Sequence, residues 1–141
     1  MTNTNVIKNK IIQVVKYFRI LKRYQKFSRK EIETNEDIRG MVERYLYLLC
    51  QSVIDLADSF IAYKKFRQPV SSRESFDILF EEKIIAKQMK EELKNLVGFR
   101  NILAHEYTNV NYDIVFEVLQ NKIDDTKKFI NKINKYITIW I

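Results

Sequence analysis

The sequence predicts an all-α protein, folded as an antiparallel bundle of four to five helices. Its 141 residues include only two glycines and one proline, so the tight turns that join β-strands are difficult to supply. Apolar residues instead recur every three or four positions along most of the chain, which is the spacing of one helix face. The length, with no linker or low-complexity segment, predicts a single domain over residues 1–141.

The first predicted helix runs from Val6 to about Lys26. The apolar residues of its stripe are Ile7, Ile11, Val14, Val15, Phe18 and Leu21. Ser28 then precedes Glu31 by three residues, which is the spacing of a capping box. Because the segment that follows is polar, this pair predicts either a turn or a short helical piece.

A long second helix is predicted to begin at Thr34 or Asn35, either of which can cap it, and to end at about Phe66. The residues of its stripe are Ile38, Val42, Tyr45, Leu49, Val53, Leu56 and Phe60. Pro69 stops the helix, because proline lacks an amide donor and disfavours helix in the residue before it.

Two further helical regions complete the bundle. The third has Ser71 or Ser72 as its cap and forms either one helix or a short helix followed by a long one. It carries Phe76, Leu79, Phe80, Ile84, Ile85, Met89, Leu93, Leu96 and Val97. The last follows "TNVNYD" and carries Val115, Val118, Leu119, Ile123, Thr126, Phe129, Ile130, Ile133 and Ile137. Short connections between such helices favour antiparallel packing.

Composition argues against several classes of protein. The single Cys50 cannot form an internal disulfide, which fits a reducing cytoplasm. Charged or polar residues interrupt every hydrophobic run well short of the roughly 20 residues that a membrane span needs, so neither a signal peptide nor a span is expected. One histidine, one cysteine and scattered carboxylates give no metal-ligand spacing, and no glycine-rich phosphate loop occurs. We therefore expect neither a metal nor a cofactor.

The charge of the chain is strongly positive at its N-terminus. The net charge is +7, and the nine charged residues that precede Glu31 are all basic. Such an excess attracts a polyanion such as RNA, or an acidic protein partner. A solvated lysine face in a chain rich in Lys, Asn and Ile is the simpler alternative. We expect no stacking platform for single strands in this segment.

The stretch "GFRNILAHEY", residues 98–107, contains the one histidine of the chain. At about 100° per residue, Arg100 and Tyr107 lie on nearly the same helix face, whereas His105 lies about 140° from Arg100. The three side chains therefore cannot converge on one regular helix. Either the helix distorts or ends between Ala104 and Tyr107, or a second protomer contributes to the site. A purely structural histidine is the alternative to a site.

Arginine and histidine together suit metal-independent RNA cleavage. A guanidinium binds two phosphate oxygens at once, and an imidazole exchanges a proton near neutral pH. The ribose 2′-hydroxyl can attack the adjacent phosphorus, so that RNA supplies its own nucleophile. The protein then needs only to move protons and to stabilise negative charge.

At "RNILAHEY" the sequence resembles the HepT-like toxins of the HEPN superfamily, whose motif is R-x4-H-x-Y. Two further blocks carry the resemblance: "ERYLYLLCQSVIDLADSFI" is similar to the second helix of the family, and "PVSSRESFDILFEEKII" to the segment before the motif helix. The three blocks occur in order and cover most of the chain. The resemblance implies a homodimeric ribonuclease toxin of a prokaryotic toxin–antitoxin pair, whose two motif helices approach across a shared cleft.

The resemblance also implies residue roles. Arg100 would hold the scissile phosphate, His105 would carry the proton transfer, and Asn101 would orient one of the two. Asp55 stands where the family often has an acidic residue, and it either orients Arg100 or His105 or forms a buried or interface salt bridge. Among the remaining matches, Arg73 and Glu74 are expected to cap a helix or to serve the dimer contact rather than to touch RNA.

The family implies a partner as well. Its members are typically paired with a minimal nucleotidyltransferase (MNT) antitoxin, which transfers AMP from ATP to the motif tyrosine, here Tyr107. ATP and magnesium would belong to that antitoxin. One alternative is a non-catalytic HEPN module that binds nucleotides or RNA or acts as the scaffold for a nucleotidyltransferase. A weaker one is a generic helical protein whose basic faces bind acidic surfaces.

Overall fold

The computed structural model describes residues 3–105 and 110–137, and within these ranges it contains six helices and no strand. They are α1 (Thr4–Tyr24), α2 (Arg29–Thr34), α3 (Glu36–Lys64), α4 (Ser72–Glu81), α5 (Lys87–His105) and α6, which is formed by the consecutive segments Tyr112–Glu117, Val118–Lys122 and Ile123–Lys135. The predicted all-helical fold is confirmed. The helices outnumber the predicted four to five because the short polar piece folds as α2 and the third region divides into α4 and α5.

The predicted N-caps are found where the sequence placed them. Ser28 Oγ accepts the amide of Glu31 at 3.1 Å, and Glu31 Oε1 accepts the amide of Ser28 at 3.0 Å, which completes the capping box of α2. Asn35 caps α3 through its side-chain oxygen. Ser71 caps α4 by accepting the amide of Glu74 at 3.1 Å. These side chains satisfy amides that the first turn of a helix leaves without partners.

Two helices end on lysines in the left-handed conformation. Helix α3 ends at Lys64, slightly before the predicted end, because Lys65 has φ 60° and ψ 35°. The amide of Phe66 then donates to the carbonyl of Ile61 at 3.1 Å, as in a Schellman cap. Lys83, with φ 63°, closes α4 by the same pattern. Helix α3 is therefore ended by the conformation of Lys65, four residues before Pro69, and not by the proline.

Helix α3 forms the centre of the core. Eleven of its residues are buried, and it contacts α1, α2, α4 and α5. By length and hydropathy it could cross a membrane, yet 56% of its most apolar window is buried inside the fold. That burial is the behaviour of a core helix, surrounded on several sides by other helices.

Helix α6 contains a π-helical turn over Val118–Lys122. Gln25, which follows α1, donates from Nε2 to the carbonyl of Leu119 at 2.9 Å, and its own carbonyl accepts from Gln120 Nε2 at 2.8 Å. This reciprocal pair ties the end of α1 to the irregular turn. The turn adds an extra residue that the apolar periodicity alone did not predict.

A pair of carboxyl groups joins α5 to α6. Burial, and then the hydrogen bond with Glu92, raise the pKa of Asp125 to about 7. The same hydrogen bond lowers the pKa of Glu92. Lys122 and Lys128 also act on the pair, and both favour its ionised form. Near pH 6 the two groups therefore share one proton, which is held mainly by Asp125.

Candidate active site

Arg100 on α5 faces α3 and is held there by a glutamine. Its Nη1 donates to Gln51 Oε1 at 2.8 Å, and Gln51 Nε2 donates in turn to Asp55 Oδ1 at 3.0 Å. Arg100, Gln51 and Asp55 are all half-buried. The three side chains thus form a hydrogen-bonded chain across the contact between α3 and α5, and both ends of the Gln51 amide are used.

Asn101 holds the other edge of the same guanidinium. Its Oδ1 accepts from Arg100 Nε at 3.1 Å and from Nη2 at 2.6 Å. Of the two partners that the sequence left open for Asn101, the geometry gives Arg100. A guanidinium has five N–H groups, and contacts within the described residues use three of them. Two N–H groups therefore stay available to bind an anion, and Arg100 is fixed for that contact before the anion arrives.

Asp55 reaches Arg100 only through Gln51. Within residues 3–105 and 110–137 it makes neither a direct hydrogen bond to the guanidinium nor an ion pair. We predicted a role for Asp55 but not for Gln51, because the contact between Gln51 and Arg100 depends on how α3 packs against α5. A signal was present nonetheless: Gln51 and Asp55 are four residues apart on α3, so that they share one helix face.

Cys50 lies beside this network but takes no part in acid–base chemistry. Its side chain is buried in the core, with a relative exposure of 2%. Burial raises the pKa of the Cys50 thiol to about 12, although the charge of Arg100 acts in the opposite direction. The thiol is therefore protonated near neutral pH, and it is neither a nucleophile nor an available metal ligand.

His105 is the last residue of α5, and its side chain is exposed. The helix continues to that point, so the angle of about 140° between Arg100 and His105 holds. Arg100 faces α3, whereas His105 faces solvent at the helix end. One chain therefore does not bring the two side chains together by helix geometry alone. Tyr107, the predicted site of modification, lies outside the described residues.

Arg73 and Glu74 take separate roles at the start of α4. Glu74 accepts a hydrogen bond from the amide of Val70 at 2.7 Å and forms an ion pair with Arg67 at 3.2 Å. Of the two predicted roles, helix capping or dimer contact, these contacts fit the capping of α4. The Arg73 guanidinium instead lies beside Gly98 of α5. A Cβ on Gly98 would stand 2.6 Å from Arg73 Nη2, and the glycine therefore leaves room for this guanidinium two residues before Arg100.

The donor set of the site supports charge stabilisation and proton transfer. No group of three or more His, Cys, Asp or Glu side chains in the described ranges is placed to hold a metal ion. The available groups are a positioned guanidinium and an exposed imidazole. Such groups stabilise a phosphoryl transition state and move its protons.

The fold and the site together define a protein of the HEPN class, an all-helical bundle with the arginine and histidine of an R-x4-H motif on one inner helix. The family model described as "Ribonuclease HepT-like" matches residues 14–133. The chain therefore belongs to the HepT-like ribonuclease family.

Named relatives agree with this family. The mRNA nuclease HepT of Shewanella oneidensis is 32% identical over 131 residues, which cover 92% of this chain and 96% of that protein. The tRNA nuclease HepT of Aphanizomenon flos-aquae is 24% identical over 139 residues, with coverages of 97% and 95%. A solved structure of the tri-AMPylated HEPN toxin of Shewanella oneidensis in complex with an MNT antitoxin has a TM-score of 0.84 and 29% identity, and the match covers 92% of this chain and 96% of that one.

Proposed function

We propose that this protein is the ribonuclease toxin of a toxin–antitoxin pair, and that it cleaves RNA without a metal ion through Arg100 and His105. The observation that carries the proposal is the Arg100 guanidinium, which Gln51 and Asn101 hold in place while two of its N–H groups make no contact with the residues that the structure describes. The family and the named nucleases support the reaction class.

The reaction follows from these groups. The ribose 2′-oxygen attacks the neighbouring phosphorus, the bond from phosphorus to the 5′-oxygen breaks, and a 2′,3′-cyclic phosphate and a 5′-hydroxyl result. His105 accepts the proton that leaves the 2′-hydroxyl, and the imidazolium so formed donates a proton to the departing 5′-oxygen. Such acid–base catalysis raises the rate by about 10²–10⁴-fold. Arg100 binds the non-bridging oxygens, where negative charge increases in the transition state. Asn101 and Asp55 support Arg100, the latter through Gln51.

The active form is a homodimer in this proposal. Arg100 and His105 diverge on their own helix, so a site that uses both is completed most simply by the motif helix of a second copy. Light scattering of the purified chain is expected to give the mass of a dimer. A monomer that cleaves RNA at full rate would remove this part of the proposal.

An MNT-type nucleotidyltransferase antitoxin is the proposed partner, and Tyr107 is the proposed acceptor of AMP. The motif places this phenol two residues after His105, so an attached nucleotide would occupy the space needed by RNA. The similar toxin of Shewanella oneidensis, which is AMPylated and bound to an MNT antitoxin, supports this step. The toxin would act in the cytoplasm, where the single thiol stays reduced.

The experiment is cleavage of a single-stranded RNA in excess EDTA by chain whose intact mass shows no added nucleotide. The expected products carry 2′,3′-cyclic phosphate and 5′-hydroxyl ends, and a matched strand with 2′-deoxyribose at the cleaved position is expected to resist. Complete loss of cleavage in EDTA, or equal cleavage of the deoxy strand, would contradict the mechanism. An unmodified but inert chain would favour the scaffold alternative.

A further inference from the structure

Helices α1 and α3 enclose a surface groove, and the proposed reaction uses only Gln51 and Asp55 at one end of it. One part is a cleft of about 300 Å³, lined in part by Lys10, Tyr17 and Gln51. A second cleft of about 280 Å³ is lined by residues that include Arg23 and Tyr45. The rings of Tyr17 and Tyr45 have centroids 6.2 Å apart. Both clefts lie between α1 and α3 and adjoin at these two rings, and we call the surface that they form together the α1–α3 groove.

The register of the two helices places both clefts along the same seam. The α1 residues that line it are Lys10, Gln13, Tyr17, Ile20, Arg23 and Tyr24. Those of α3 are Met41, Tyr45, Leu48, Gln51, Ser52 and Asp55. Both sets recur at helical spacing and run in opposite directions, so that Lys10 lies at the Asp55 end and Tyr24 at the Met41 end. From Lys10 to Tyr24 the groove extends about 21 Å along α1.

The charge of the groove suits a polyanion. Lys10, Arg23 and Lys26 line it, and among the described lining residues Asp55 is the single carboxylate. The oxygen of Asp55 already accepts a hydrogen bond from Gln51. Three cations spread over this length can each meet a phosphate of an extended strand, as in nonspecific single-strand binding.

Aromatic rings accompany these cations. Tyr17, Tyr24, Phe27 and Tyr45 line the groove and are all half-buried. Rings that are anchored in this way and still reach the surface can stack on nucleobases. We expected no such platform in the N-terminal segment. Its aromatic residues nevertheless alternate with its cations, and α3 supplies Tyr45 beside them.

One end of the groove meets the candidate active site. Gln51 lines the groove and also accepts the hydrogen bond from Arg100. We propose that the α1–α3 groove binds the single-stranded RNA that flanks the scissile phosphate, with bases on its tyrosines and phosphates on Lys10 and Arg23. This inference rests on the proposed function, because RNA is the substrate of that reaction.

The test measures binding of a labelled single-stranded RNA by fluorescence anisotropy, using His105→Ala protein so that the strand stays intact. Each phosphate contact with a single strand contributes about 0.7 to the slope of log affinity against log salt. The pair Lys10→Ala and Arg23→Ala is therefore expected to lower that slope by about 1.4. The matched pair Lys8→Ala and Lys22→Ala, which removes equal charge from exposed positions of α1 outside the groove, is expected to leave it unchanged.

Stacking is tested separately at Tyr17. Tyr17→Phe keeps the ring and is expected to bind normally, whereas Tyr17→Ala is expected to weaken binding by about 5- to 150-fold. Circular dichroism checks that both variants are folded. If Tyr17→Ala does not fold, the charge pairs still decide the proposal.

Equal salt slopes for the two charge pairs would overturn the groove proposal. So would groove substitutions that change the oligomeric mass without changing RNA affinity, since they would identify an interface between proteins. If the wild type cleaves RNA in EDTA but the groove substitutions do not change RNA binding, the proposed nuclease activity stands and the groove proposal is rejected. Groove-dependent binding by an inert, unmodified wild type would support the groove and reject the nuclease.

Discussion

At the scale of single residues, Gln51 determines where the Arg100 guanidinium lies. Its amide oxygen accepts from Arg100, and its amide nitrogen donates to Asp55, so its orientation is fixed by two partners. Arg100 itself could be identified from sequence because guanidinium chemistry and the motif both point to it. Gln51 could not, since its role exists only after α3 has packed against α5.

Replacing Gln51 by leucine is expected to lower kcat by about 10- to 100-fold. The Arg100 guanidinium would then no longer be held in the position at which it stabilises the transition state. As a positioning residue, Gln51 should affect kcat more than KM. Gln51→Glu keeps an acceptor for Arg100 and should recover part of the rate. Gln68→Leu, an exposed glutamine in the loop after α3, is the matched control. Equal kcat for Gln51→Leu and the control would reject this role.

Glycine at position 40 weakens α3 without serving a packing purpose. A Cβ placed on Gly40 meets no atom within 4 Å, whereas one on Gly98 meets the Arg73 guanidinium. Gly40→Ala is therefore expected to raise the free energy of unfolding by about 1 kcal/mol, through the helix propensity of alanine. Denaturant unfolding measures this change. A loss of stability in Gly40→Ala would show that the space above Gly40 is occupied, for example by a second copy.

At the scale of helices, the sequence predicted beginnings better than ends. Ser28, Asn35 and Ser71 cap their helices because short polar side chains can accept hydrogen bonds from the free amides of a first helical turn. The ends at Lys65 and Lys83 carry no such signal, since glycine is the usual residue in the left-handed conformation. The π turn of α6 was also missed, because an added residue changes the periodicity only locally.

The carboxyl pair between α5 and α6 predicts a pH dependence of stability. Asp125 has a pKa raised to about 7 in the folded protein, whereas the pKa of Glu92 is lowered. Between about pH 5 and pH 7, where glutamates are ionised in both states, the Asp125 carboxyl therefore binds more protons in the folded state than in the unfolded state. The free energy of unfolding is therefore expected to fall as the pH rises through this window.

The matched variants for this effect are two adjacent substitutions. In Asp125→Asn the free energy of unfolding is expected to fall less steeply as the pH rises, because an asparagine side chain does not titrate. Asp124→Asn, at the exposed neighbouring position, is expected to preserve it. Urea unfolding at a series of pH values measures the slopes. Parallel slopes for Asp125→Asn and the wild type would show that another group causes the decline.

At the scale of the whole molecule, charge and shape point to one type of substrate. The net charge of +7 raises the local concentration of a polyanion and speeds its encounter with the protein. The fold then presents Arg100 where the α1–α3 groove meets α5, and the helix end presents His105 to solvent. The sequence alone predicted both residues, their chemistry and their separation on a regular helix, whereas the continuation of α5 as far as His105 is a property of the fold.

The rate of RNA cleavage in EDTA at saturating RNA, compared among folded variants, tests the central claim most directly. Arg100→Ala and His105→Ala are each expected to cleave at least about 100-fold more slowly than the wild type, since each removes a group that acts in the transition state. Arg19→Ala, which removes an exposed arginine of α1, is expected to cleave at the wild-type rate. Cleavage by His105→Ala or Arg100→Ala at the rate of Arg19→Ala would contradict the assignment of the active site.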